Sequence, residues 1–203
     1  MMRLSFLILI LVGFVSCKSF VIDSPSIDIP KDITPFQQYV LDEINFVRTK
    51  PVDYAELRLK SYKDALTDNG GYQYLKSFTP VAALSFKNVL NQSATKYAAY
   101  LAINNVISHD ADGTPLSRAI REGYTGSSLG ENIAGASDNL YDATLNPQSA
   151  AIGFVRLLII DEGVIDLGHR LIMLNSKYKT IGIGFGRNTV STYVNYSVQD
   201  FGI

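Results

Sequence analysis

The chain has 203 residues, enough for one domain with a sizeable core. Its 18 basic and 19 acidic residues leave a formal charge of −1, and no block of like charge stands out. That balance argues against nucleic acid or an acidic membrane surface as the main partner. A hydrophobic content of 47% with 18% charged residues is that of a globular chain, not a disordered one.

The first predicted element is a leader. MMRLSFLILILVGFVSCKS carries one early cation, Arg3, and then an apolar run from Leu4 to Val15. That run is too short for a bilayer, which takes about 20 apolar residues, but it suits the core of a signal peptide. Ser16 precedes Cys17, the only cysteine in the protein. The arrangement resembles a bacterial lipoprotein signal, in which the thiol is acylated and becomes the new N-terminus, although Phe14 stands where such signals usually carry leucine. Residues 1–16 are then expected to be a signal peptide, 17–34 the acylated cysteine and a tether, and 35–203 the domain. The alternative is an ordinary secretory peptide with an incidental cysteine. Either way the chain is expected outside the cytoplasm, in the cell envelope. The lipid reading makes the membrane a partner through a single anchored residue, on the periplasmic side or at the cell surface. One cysteine cannot form a disulfide within the chain.

Lys18 to Thr34 carries acids and prolines without helical period, as a tether would. Thr34-Pro35 is a cap followed by a first-turn proline, and Phe36, Val40, Ile44 and Val47 then recur at helical spacing until Pro51. A second helix is predicted over 52–65, before the Asp68-Asn69-Gly70-Gly71 turn, and a third over 86–104. Ser108 to Asp138 is rich in Gly, Ser and Asp and reads as irregular, with a short helix over 116–122. Asn146-Pro147 opens another helix, whose stripe of Ala150, Phe154, Leu157 and Leu158 is continued at i+4 spacing by Asp161 and Glu162. Two carboxylates at the C-terminal end of a helix sit against its dipole. Gly163 is its natural stop. Thr180 to Gly186 and Thr192 to Gly202 alternate as strands and form an antiparallel hairpin, the glycines of the first allowing close packing. Helices first and strands late give an α+β class.

Three polar stretches remain: SHDADG around His109, GENIAG around Glu131 and LGHR around His169. Each sets an imidazole or carboxylate beside glycines. His109 and His169 are the only histidines, so a paired-imidazole site must use both. Imidazoles with carboxylates suit Zn²⁺, held at roughly 2.0–2.2 Å per ligand. Without metal, each imidazole and carboxylate could hold the other by charge-assisted hydrogen bonds.

Taken in order, the motifs resemble those of the CAP superfamily of cysteine-rich secretory and pathogenesis-related proteins, in its bacterial form. Asn45 to Arg48 is similar to the Asn-x-x-Arg of its first helix, and Leu84 with Lys96-Tyr97-Ala98 to the helix before its first histidine. Ser108-His109 with Asp112-Gly113, and then Gly123-Tyr124, resemble its next segments. Gly130-Glu131-Asn132-Ile133-Ala134 matches its GENIA signature. Gly168-His169-Arg170 with Leu174-Asn175 and the ending Val198 to Gly202 complete a likeness that covers Pro35 to Gly202.

The resemblance implies a three-layer α-β-α sandwich with a cleft lined by two histidines and two acids. His109, Glu131 and His169 carry over directly. The second acid is Asp161 or Glu162, with Glu162 preferred. The disulfides of eukaryotic members are missing. The implied function is a non-enzymatic binding module whose cleft takes a lipid, sterol or host protein and a divalent cation, with Zn²⁺ held by His109 and His169. The rival is a metal-assisted hydrolase, a protease or cell-wall peptide hydrolase, with Glu131 as general base. No nucleophile elbow or zinc-protease motif accompanies it. Arg48 and Arg170 read as loop braces through carbonyl hydrogen bonds.

Overall fold

The computed structural model describes residues 32–64 and 70–203. The leader, Cys17 and the tether up to residue 31 lie outside the described residues. No helix among those described is long and apolar enough to cross a membrane.

The domain opens at α1 (Pro35–Thr49), where local chemistry sets the start. The Thr34 hydroxyl accepts from the Gln37 amide, the Gln37 side chain accepts from the Thr34 amide, and Pro35 takes the first position. Phe36, Val40, Ile44 and Val47 lie on one face and are buried, each contributing about 1.5–3 kcal/mol against exposure. The predicted second helix is shorter than its composition suggested: α2 (Pro51–Tyr54) runs into a wide π turn (Ala55–Leu59). Gly70, at φ 71°, then starts α3 (Gly71–Ser77), a helix its double glycine had hidden. Strand β1 (Ser85–Phe86) takes Phe86 out of the next helix, α4 (Asn88–Asn104). After α5 (Pro115–Arg121) comes β2 (Leu129–Ala136), in the stretch read from sequence as irregular. Helices α6 (Pro147–Ile160) and α7 (Gly168–Leu174) precede the hairpin β3 (Thr180–Arg187) and β4 (Asn195–Gly202).

The four strands among the described residues form one sheet in the order β1-β3-β4-β2, with β1 parallel to β3 and the other pairings antiparallel. β2 becomes a strand through its partner: Glu131 faces Asp200, Ile133 faces Val198 and Gly135 faces Tyr196. Its own glycines and alanines have poor strand propensity, so pairing decides.

Helices cover both faces, giving an α+β sandwich of three layers. Helix α4 lies on one face with Ala94, Tyr97, Ala98 and Leu101 against Ile133, Tyr196 and Val198. A Cβ at Gly182, Gly184 or Gly186 would overlap the backbone of Leu90, Ala94 or Ala98, so helix and strand touch with nothing between them. On the other face α1 and α6 bury Ile44, Phe154, Ile181, Ile183 and Phe201 in the larger core. Beyond the short β1, the free edge of β3 is covered by two amides. Asn91 Oδ1 accepts from the Ile183 N–H at 3.2 Å, and Gln37 Nε2 donates to the Ile183 carbonyl at 2.8 Å.

Candidate functional site

The first histidine sits in the loop that leaves α4. Two tyrosines of that helix reach up to fix it: Tyr97 Oη donates to the Ser108 carbonyl and Tyr100 Oη to the Ala111 carbonyl. Arg118, on α5 and only 3% exposed, closes the loop from the other side. Its guanidinium donates to the carbonyls of His109 and Gly113, pairs with Glu131 Oε2, and lies 3.3 Å from the centre of the Tyr97 ring. His109 Nδ1 then meets Glu131 Oε1 at 2.8 Å. The hydrogen bond to Glu131 raises the His109 pKa above its ordinary value, against a smaller opposing effect of burial.

Behind this pair lies Asp200, the cross-strand partner of Glu131 and fully buried. Neither of its carboxyl oxygens has a partner in good hydrogen-bond geometry. Burial first, and the neighbouring Glu131 charge second, push its carboxyl well above the usual carboxylate range; Ser93 and Arg118 pull the other way.

The second histidine is held by a helix terminus. After α6 the backbone turns left-handed at Asp161 (φ 59°), which swings that side chain inward and leaves it 2% exposed. Asp161 Oδ1 meets His169 Nδ1 at 2.6 Å, and its Oδ2 accepts the Arg170 N–H at 3.1 Å. The Arg170 side chain folds back on the carbonyls of Ile159 and Ile160 at 2.6 and 2.8 Å, so α6 and α7 brace each other. Arg48 has the same role nearby, donating to the carbonyls of Ala82, Met173 and Asn175. Asn132 Nδ2 donates to the His169 carbonyl at 3.1 Å. Adjacent strand residues point to opposite faces, so Glu131 serves the His109 pair and Asn132 the His169 pair from either side of β2.

The structure thus places the sequence-derived residues in two pairs, His109 with Glu131 and His169 with Asp161. Glu162 pairs with neither histidine, because the left-handed residue before it breaks the helical spacing, and its side chain stays exposed. A cleft of about 340 Å³ opens between α6, the α6–α7 turn and β2. Asp161, Glu162 and His169 line it together with Ile107, Ile133, Leu157, Val164 and Tyr193; His109 and Glu131 do not. Leu157, expected in the buried stripe of α6, is instead 38% exposed at this mouth, and Ile107 and Tyr193 are each 43% exposed.

Both imidazoles carry a carboxylate on Nδ1, the arrangement that orients metal-binding histidines. A zinc site takes three or four protein ligands or an open position beside three. Among the described residues no three His, Cys, Asp or Glu side chains come together to hold an ion. Among the described residues the histidines and acids stand as two separate pairs, short of the three ligands a zinc site takes.

A family model described as the cysteine-rich secretory protein family, CAP, matches residues 41–201. The chain belongs to the CAP family. Among solved structures its CAP domain is similar to an outer surface protein from Borrelia burgdorferi. The two are 19% identical with a TM-score of 0.52, over 84% of this chain and 94% of that one. It is also similar to an extracellular SCP-domain protein from Bacillus anthracis, 22% identical with a TM-score of 0.44, over 60% of this chain and 34% of that one. The chain therefore spans about a third of the length of the latter. No curated protein sequence matches it at a significant level.

Arg118, Asn132 and Asp200 are site residues that the sequence reading missed. Asp200 left one signal, an acid in the middle of an alternating strand. Arg118 left none, since an arginine on a short polar helix reads as solvated.

Proposed function

We propose that this CAP domain is an exported, lipid-anchored binding module that takes its ligand in the cleft between α6 and β2, and that it is not an enzyme. One observation carries the reading: each of the two histidines is bonded to an acid, His109 to Glu131 and His169 to Asp161. Both oxygens of Glu131 are taken, one by His109 and one by a buried guanidinium, so its carboxylate is not poised to take a proton from water. His169 and Asp161 are likewise joined. What the cleft offers a visitor is an imidazole edge, the exposed carboxylate of Glu162 and the apolar side chains of Ile107, Leu157 and Tyr193. A few polar groups in an apolar concavity suit recognition of an amphipathic ligand, a lipid or a segment of a host protein. The leader and Cys17 supply the anchor in this reading, and the outer-surface location named for the Borrelia relative agrees with it.

The test joins the two parts. Cys17→Ala moves the protein from the membrane to the soluble fraction, and a ligand pulled from the native envelope is lost on Leu157→Glu but retained by Glu131→Gln. Turnover of casein or cell-wall peptides by the purified domain, abolished by Glu131→Gln, would replace binding with hydrolysis.

A further inference from the structure

Beside the histidine cleft is a second recess that the site described above leaves without a role. Tyr62, Tyr141, Arg156 and Ile160 enclose about 220 Å³, and Leu157 and Glu162 line both this recess and the cleft. The two concavities are therefore contiguous along one edge of α6.

Arg156 is what sets this recess apart. Among the described arginines, Arg58, Arg118, Arg121 and Arg187 each hold an acid. Arg48 and Arg170 hold backbone carbonyls. The Arg156 guanidinium instead lies over the Tyr62 ring, 4.9 Å from its centre. No carboxylate among the described residues comes within 4.0 Å of it, Glu162 in the same recess included. The contact with the ring restrains the guanidinium and leaves its N–H donors directed at no acceptor among the described residues. A half-buried, pre-positioned guanidinium is suited to a bidentate anion, and a carboxylate fits its fork.

We propose that this recess receives the C-terminal carboxylate of a peptide whose last side chain is apolar, the peptide running on from there into the histidine cleft. The carboxylate pairs with Arg156, while Leu157 and Ile160 take up the final side chain. Glu162, standing between the recess and the cleft, accepts N–H donors of the peptide backbone. That last feature favours a peptide over a fatty acid, which offers the same carboxylate and apolar body but no N–H. The inference rests on the cleft being a ligand site.

The probe is N-acetyl-Ala-Leu-Leu, as the free acid and as the C-terminal amide, with decanoate as the lipid comparison. Affinity is measured by calorimetry on the intact domain, and NMR follows the Arg156 Nε–H and the ring of His169. A charge-assisted pair predicts that the acid binds the wild type about tenfold or more tighter than the amide. The preference disappears in Arg156→Gln and survives in part in Arg156→Lys, with unchanged melting temperatures confirming that both variants fold. Equal binding of acid and amide, a preference that survives Arg156→Gln, or no binding of either peptide overturns the subsite. Decanoate binding as tightly as the acid at Arg156 overturns the peptide assignment. If the preference depends on Arg156 while the His169 ring does not move and His169→Ala has no effect, the recess stands and the reading of the cleft fails.

Discussion

Replacing Arg118 by methionine removes one buried cation and leaves everything that it held. The side chain is nearly enclosed, and so is Glu131, its ion-pair partner. Breaking such a pair from one side costs about 3–5 kcal/mol, because the remaining charge stays buried without compensation. Here the stranded carboxylate also faces Asp200 across the strand pair. The carbonyls of His109 and Gly113 lose a donor, but their loop is near water, so each adds only about 0.5–1.5 kcal/mol. The stack on Tyr97 is partly replaced, since a thioether also packs well on a ring. These effects overlap and do not simply add, so a total near 4 kcal/mol is expected. For a domain of this size that is a fall in Tm of roughly 8–16 °C. Urea denaturation of Arg118→Met, Glu131→Gln and the double variant forms the decisive cycle. The double variant strands no charge, and the coupling energy should reach about 2 kcal/mol or more. A single-variant loss under about 1 kcal/mol, or strict additivity, would refute the placement of Arg118 as the brace of this site.

The two histidines make proton NMR simple to read. His109 should titrate with a midpoint above that of a free imidazole, and Glu131→Gln should bring it down. Because the folded value is the raised one, the pair stabilises the fold fully at acid pH and loses its contribution as pH rises through that value; a midpoint unmoved by Glu131→Gln counts against the bond. Asp200 also has a raised folded value, so wild-type stability should decline from the unfolded carboxyl range, about pH 3.9, up to the folded value. Asp200→Asn should flatten that decline, and identical pH–stability curves for the two proteins would show that the carboxyl is not perturbed. Gly184→Val sets a branched side chain against the Ala94 backbone, forcing α4 off the sheet at a cost of about 3 kcal/mol or more; a near-neutral melting temperature would show that the contact can relax.

What the sequence revealed was local. Thr34-Pro35 and Asn146-Pro147 mark helix starts because cap and proline act within a few residues. The alternation of Ile and Phe with glycine in β3 marks a strand because its faces differ. Strand β2 escaped notice because its glycines and alanines have no such preference, and only the register against β4 makes them a strand. The choice between Asp161 and Glu162 turned on one residue. Counting at helical spacing assumes that the helix continues, whereas the left-handed turn at Asp161 ends the count and aims that carboxylate at His169. Arg118 and Glu131 lie on separate elements, and nothing near either residue in the chain announces the other.

Among the described residues strand β2 ends the sheet, with β4 its only neighbour. Its consecutive residues 131 and 132 hold the two histidine pairs from opposite faces. A slip of one position would turn Glu131 toward α7 and Asn132 toward α4, cancelling both at a stroke. Peeling the strand from β4 would do the same. Hydrogen exchange should therefore find no opening that frees one histidine loop while the other stays shut, provided it passes through this strand. The two centres share a single latch.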